Sequence, residues 1–135
     1  MELRNTKWVN KFRRAAVVHE EGARLLLSHC SSKGSSTLCG EVIYLSGYVG
    51  ECVLKSLLLS CTPDRGHEKL LKAFKSPKGP GHSLQKLHRL IAVTGFQMPA
   101  AMTSRVSIVA GSWNSGMRYD GFSYRYVRHG EETTD

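Results

Sequence analysis

Between Val42 and Leu59 the sequence VIYLSGYVGECVLKSLLL is apolar on nearly every side of a helix, with one polar stripe running through it. Tyr44, Tyr48, Glu51 and Lys55 follow one another at spacings of four, three and four, so they share one side. Val42, Leu45, Val49 and Cys52 form a second line, and Ile43, Leu54 and Leu57 a third. A helix that is apolar on most sides must be enclosed by others, which predicts the central helix of a bundle from about Leu38 to Cys61, ended by Thr62-Pro63. Gly47 and Gly50 each cost such a helix about 1 kcal/mol relative to alanine. Close approach of a neighbouring helix is the expected compensation.

The same periodicity predicts a first helix from about Thr6 to Ser28, with Trp8, Phe12, Ala15, His19, Gly22 and Leu26 on its apolar stripe. SSKGSS, Ser31 to Ser36, reads as a polar connection, so the first two helices form an antiparallel hairpin. A short amphipathic helix is expected from Asp64 to Phe74, with Leu70, Leu71 and Phe74 inward, followed by SPKGPG as a plain linker. A third main helix spans His82 to Thr94 with Leu84, Leu87, Leu90 and Ile91 buried. Pro99 suits the first turn of a fourth, in which Met102, Val106, Val109 and Trp113 make the buried line. No strands or internal repeats are expected. The predicted fold is all-α, an antiparallel bundle of four to five helices in one domain over 1–135, with its core at about 7–120 and an irregular tail at 121–135.

The length of 135 residues fits one core, and an apolar content of 41% argues against wholesale disorder. No apolar run is expected to reach the ~18 residues that cross a membrane, and MELRNTKWVNKFRR lacks a signal-peptide core, so a cytoplasmic protein is predicted. Cys30, Cys39, Cys52 and Cys61 form no CxxC pair and read as core residues or free thiols. Cys61, His67, His82 and His88 match no zinc spacing, and no metal or cofactor is expected. The net charge of +8 changes the picture more. Arg65 to Arg89 holds seven Lys or Arg and three His against one acid, Glu68, which is the kind of surface that phosphate binding requires.

Within the polar stripe, Glu51 precedes Lys55 by four residues, the favoured order for an ion pair. At a solvated surface that pair would contribute under about 1 kcal/mol; buried, each charge needs partners. We predict that Tyr48, Glu51 and Lys55 line an internal or dimer-facing cleft, with His82 and Arg118 near enough to join one polar network.

YLSGYVGECVLKSLLL resembles the central helix of HEPN domains, the helical nucleotide-binding domains of higher eukaryotes and prokaryotes. Trp8 on the first helix, His82 with Leu84 opening the third, and Trp113 followed by Arg118-Tyr119 fall in the family's order. The resemblance covers about Lys7 to Asp120. It implies a homodimeric bundle binding nucleotide or RNA, with Tyr48, Glu51, Lys55, His82, Arg118 and Tyr119 as ligand-binding residues. It also implies a possible place in a toxin–antitoxin or phage-defence system, with a cognate antitoxin or nucleotidyltransferase as partner. Many HEPN proteins are metal-independent ribonucleases whose arginine is separated from a following histidine by four to six residues. Here that spacing is not seen at the expected position: Arg14 and His19 have it but lie on the first helix, leaving Arg118, Arg125 and His129 as the weak catalytic candidates. Three readings follow: a binding module without hydrolysis, a ribonuclease toxin, and a dimerisation or docking module without a ligand.

Overall fold

The computed structural model describes residues 6–33, 36–76 and 79–113. Five α-helices account for most of them: α1 Lys7–Lys33, α2 Ser36–Ser60, α3 His67–Lys75, α4 Leu84–Val93 and α5 Ala100–Ser112. A 3₁₀ turn at Asp64–Gly66 leads into α3, and among the described residues there is no strand. The architecture is all-α.

Helices α1 and α2 pair along most of their length, and they run antiparallel. The Ser56 hydroxyl donates to the Val9 carbonyl at 3.0 Å, the Tyr48 ring meets the His19 ring edge-on at 4.9 Å, and Leu45 lies beside Gly22. The seam on α1 is centred on Val9, Ala16 and Ala23, seven residues apart and all buried, while Trp8, Phe12, Ala15, His19, Gly22 and Leu26 are only half-buried on its flank. The centre belongs to small residues because they let two backbones come close, whereas apolar size alone singles out the larger neighbours. α1 also continues to Lys33 and α2 begins at Ser36. The expected polar connection is thus mostly helical, since serine and lysine tolerate a helix that neither glycine nor proline has yet interrupted. Positions 34–35 lie outside the described residues.

The core gathers at the other end of the hairpin. Leu54, Leu58 and Leu59 of α2 pack with Val9, Phe74 of α3, Leu84, Leu87 and Ile91 of α4, and Trp113 after α5. Leu90, expected inward, is 37% exposed at the edge of α4. On α5, Met102, Val106 and Val109 are half-buried, and Trp113 just past its end is buried; α5 packs mainly on α4 and less on α2. The upper half of α2 has less cover. Gly40–Ser60, 21 residues, is in fact long and apolar enough to cross a bilayer, which corrects the expectation that no such run exists. The two charges of Glu51 and Lys55 are diluted there by leucine, isoleucine and valine.

Two local devices fix the ends of these helices. His67 Nε2 stands 2.8 Å from both the Leu59 and the Thr62 carbonyl oxygens, so a proton on that nitrogen ties α3 to the end of α2, where the Leu59 carbonyl also accepts the Thr62 N–H at 3.1 Å. Gly47 lies under the Trp113 indole so closely that a Cβ there would overlap the ring, and the indole N–H donates to the Tyr44 carbonyl at 2.9 Å. The close approach expected at the glycines is therefore real at Gly47, made by a side chain rather than a helix. At Gly50 a Cβ would meet nothing.

Candidate functional site

Glu51 lies midway along α2 and is 1% exposed. Its Oε2 accepts from the Lys55 ammonium at 2.8 Å, one turn on, and its Oε1 from His82 Nδ1, also at 2.8 Å. Lys55 is itself 6% exposed, and its Nζ lies 5.8 Å from the Phe12 ring centroid and 5.1 Å from that of Phe74. The cation thus sits between two aromatic faces and one carboxylate, which suits a charge withdrawn from water. Separating two buried charges costs several kcal/mol, so this pair holds only because each partner is hydrogen-bonded. Among the described residues no buried side-chain polar atom lacks a partner.

His82 reaches Glu51 from a turn, not from a helix as the periodicity predicted. The Ser83 hydroxyl accepts the Lys86 N–H at 3.2 Å and caps α4, so the helix starts at Leu84 and His82 precedes its cap. Gly81, at φ 51°, takes the left-handed backbone that turns the chain there. The result is an imidazole whose Nδ1 faces the protein interior while half of the side chain stays exposed.

These groups adjoin an open cleft of about 940 Å³. Lys55 forms part of its floor and His82 part of its rim; Trp8, Phe12, Phe74 and Trp113 supply aromatic walls, and Lys75 and Lys86 two further cations. None of the described residues that line it is acidic. Outside the cleft lining, Lys11 Nζ stands 4.6 Å over the Trp8 ring. Such a chamber offers flat apolar faces for a planar ring and positive charge for an anion.

Of the residues predicted to meet, Glu51, Lys55 and His82 come together in one network. Tyr48 does not line the cleft; its ring packs between those of His19 and Tyr44. Arg118, Tyr119, Arg125 and His129 lie outside the described residues. Arg14 is exposed while His19 is half-buried against Tyr48. Among the described residues no three His, Cys, Asp or Glu side chains converge. Cys52, next to Glu51 in sequence, is a buried free thiol whose pKa is pushed up to about 11 by burial, with Glu51 adding to the rise and Lys55 opposing it. It is therefore a packing residue at neutral pH. Cys61 is likewise held above the usual thiol range by burial.

The walls of the cleft were missed by sequence reasoning. Trp8, Phe12 and Phe74 have the spacing of core residues, and Lys75 and Lys86 belong to a long basic run. The available signal was Trp8, Lys11 and Phe12 together, aromatic and basic residues interleaved on one helical face. Comparison with known protein families, with characterised proteins and with solved structures returns no match to this chain.

Proposed function

We propose that this chain is a HEPN-like cytoplasmic protein that binds a nucleotide or RNA in the Lys55 cleft, without hydrolysis. One observation carries the reading: a cleft of about 940 Å³ joins four aromatic side chains to Lys55, Lys75 and Lys86 with no acidic residue in its described lining. Base stacking on aromatic rings and phosphate pairing with lysine are the two terms from which single-stranded nucleic-acid affinity is built. Arg65, Lys69, Lys72 and Arg89 are exposed on the segments from the 3₁₀ turn to α4 and add to the positive field of the chain, Lys72 in an ion pair with Glu68 at 3.5 Å. Homodimerisation belongs to the same proposal; Val17, Val18 and Leu25 on one side of α1 are all at least half exposed, an apolar surface that a second copy would cover. Membership of a toxin–antitoxin or phage-defence system rests on the HEPN resemblance.

Binding is tested by quenching of tryptophan fluorescence with ATP and with a short single-stranded RNA, since Trp8 and Trp113 both line the cleft. Lys75→Glu with Lys86→Glu is expected to weaken RNA binding by at least tenfold. It should also flatten the log–log salt dependence by about 0.7 for each phosphate that the variant no longer neutralises. Failure of both ligands to bind, or affinity unchanged in the double variant, would remove the cleft as the site.

A further inference from the structure

We infer that His82 is the residue by which the cleft distinguishes ribose from deoxyribose, accepting a hydrogen bond from the 2′-hydroxyl through Nε2. The inference rests on the reading of the cleft as a nucleotide site and adds which part of the nucleotide each element meets.

The first step is the protonation pattern of the ring. Glu51 is an acceptor with both oxygens engaged, Oε2 by the Lys55 ammonium and Oε1 by His82 Nδ1 at 2.8 Å. A carboxylate can only accept, so the proton lies on Nδ1. In the neutral imidazole the other nitrogen is then an acceptor and nothing else. His82 is half exposed and lines the cleft, and Nε2 has no hydrogen-bond partner among the described residues. Burial of Glu51 at 1% exposed makes the arrangement durable, because turning the ring would strip an interior carboxylate oxygen of its donor. With the imidazole neutral, the protein therefore presents a fixed acceptor to whatever occupies the cleft, and a fixed acceptor selects a ligand that brings a donor.

The second step is position. Lys55 Nζ lies beside the Phe12 and Phe74 rings, and Phe12 lies 6.3 Å from Trp8, centroid to centroid, so the aromatic platform is on that side. From Lys55 the network passes through Glu51 to His82, and four residues after His82 stands Lys86, whose N–H is held by the Ser83 hydroxyl. His82 and Lys86 line the same cleft as the aromatic side chains, and the link through Glu51 to Lys55 sets His82 beside that platform. A nucleotide lying with its base on the rings and its phosphate toward Lys86 places its sugar there. Ribose differs from deoxyribose at that place by one hydrogen-bond donor, and the imidazole supplies the matching acceptor.

The experiment compares ATP with its 2′-deoxy and 2′-fluoro analogues, and a short oligoadenylate with its deoxy counterpart, by calorimetry at mildly alkaline pH. The ribose forms are expected to bind roughly three- to tenfold more tightly than the deoxy forms, the scale of one neutral hydrogen bond. The 2′-fluoro analogue, which has no donor, should bind like the deoxy form. His82→Asn keeps an N–H for Glu51 and removes Nε2; it should retain the fold by circular dichroism and equalise ribose and deoxyribose. Equal affinity of wild-type protein for ribose and deoxyribose, or a preference that survives His82→Asn, overturns the inference while leaving the binding site standing. Inosine triphosphate provides a further arm: if His82→Asn abolishes discrimination between adenine and hypoxanthine instead, His82 faces the base edge and the ribose assignment is wrong. Absence of any binding overturns the site itself along with the inference.

Discussion

Glu51 holds two donors at once, and what matters about it is how little water remains to replace either. Deleting it would leave the Lys55 ammonium buried between Phe12 and Phe74 with no carboxylate. Removing one partner of a buried ion pair costs about 3–5 kcal/mol, against under about 1 kcal/mol for an exposed pair. We expect Glu51→Ala to lower the urea unfolding free energy by the larger amount. Glu51→Leu combined with Lys55→Met should recover most of it, because two apolar side chains of similar volume need no partners. A change in Glu51→Ala within error of zero would mean that solvent reaches the pair. If Glu51→Ala is strongly destabilised and the double variant is not, the ion pair is retained for the cleft it serves rather than for stability.

At the scale of the element, glycine in mid-helix normally weakens α2, and alanine at Gly47 would gain about 1 kcal/mol of helix propensity. The Trp113 ring forbids it. An added methyl would overlap the indole and displace both its packing and its hydrogen bond to the Tyr44 carbonyl. Gly47→Ala is therefore expected to destabilise the protein by about 1–3 kcal/mol net, as overpacking of a tight spot does. The tryptophan emission should shift to longer wavelength as the indole meets water. Gly50→Ala, where nothing stands within 4 Å, should instead be neutral or stabilising. Equal effects at the two positions would show that the packing of Trp113 on Gly47 carries no weight.

For the whole molecule, burial is concentrated where the lower half of the α1–α2 hairpin meets α3 and α4, and it thins outward along the hairpin and across α5. Leu59 and Leu87 are fully enclosed, whereas Ile108 on α5 is 73% exposed and Val93 82%. Leu59→Ala is expected to cost about 2–5 kcal/mol by opening a cavity. Ile108→Ser should stay within about 0.5 kcal/mol, as surface substitutions do. Thermal unfolding of both variants checks the gradient; a large loss in Ile108→Ser would place α5 in the core after all. The cleft opens at the well-packed end, so its cations and rings stand on the most firmly held part of the fold.

The helices and their approximate number were legible in the sequence because periodicity reports which face of a segment avoids water, and that property is local. The Glu51–Lys55 pair was legible for the same reason: two charges one turn apart on an otherwise apolar helix must be accounted for in either environment. What periodicity left undecided was which apolar residue sits at the centre of a seam and which at its edge. Val9, Ala16 and Ala23 took the centre from Trp8 and Phe12 because close helix approach rewards small side chains, and that choice freed the larger rings to become walls of a cleft. The start of α4 at Leu84 depended on a hydroxyl cap, and the inward turn of His82 on one left-handed glycine. The link from His82 to Glu51 spans 31 positions of sequence. The polar stripe predicts a network that includes His82, but which ring nitrogen meets which oxygen, and from a turn rather than a helix, was decided only once α2 and the turn before α4 had packed against the same core.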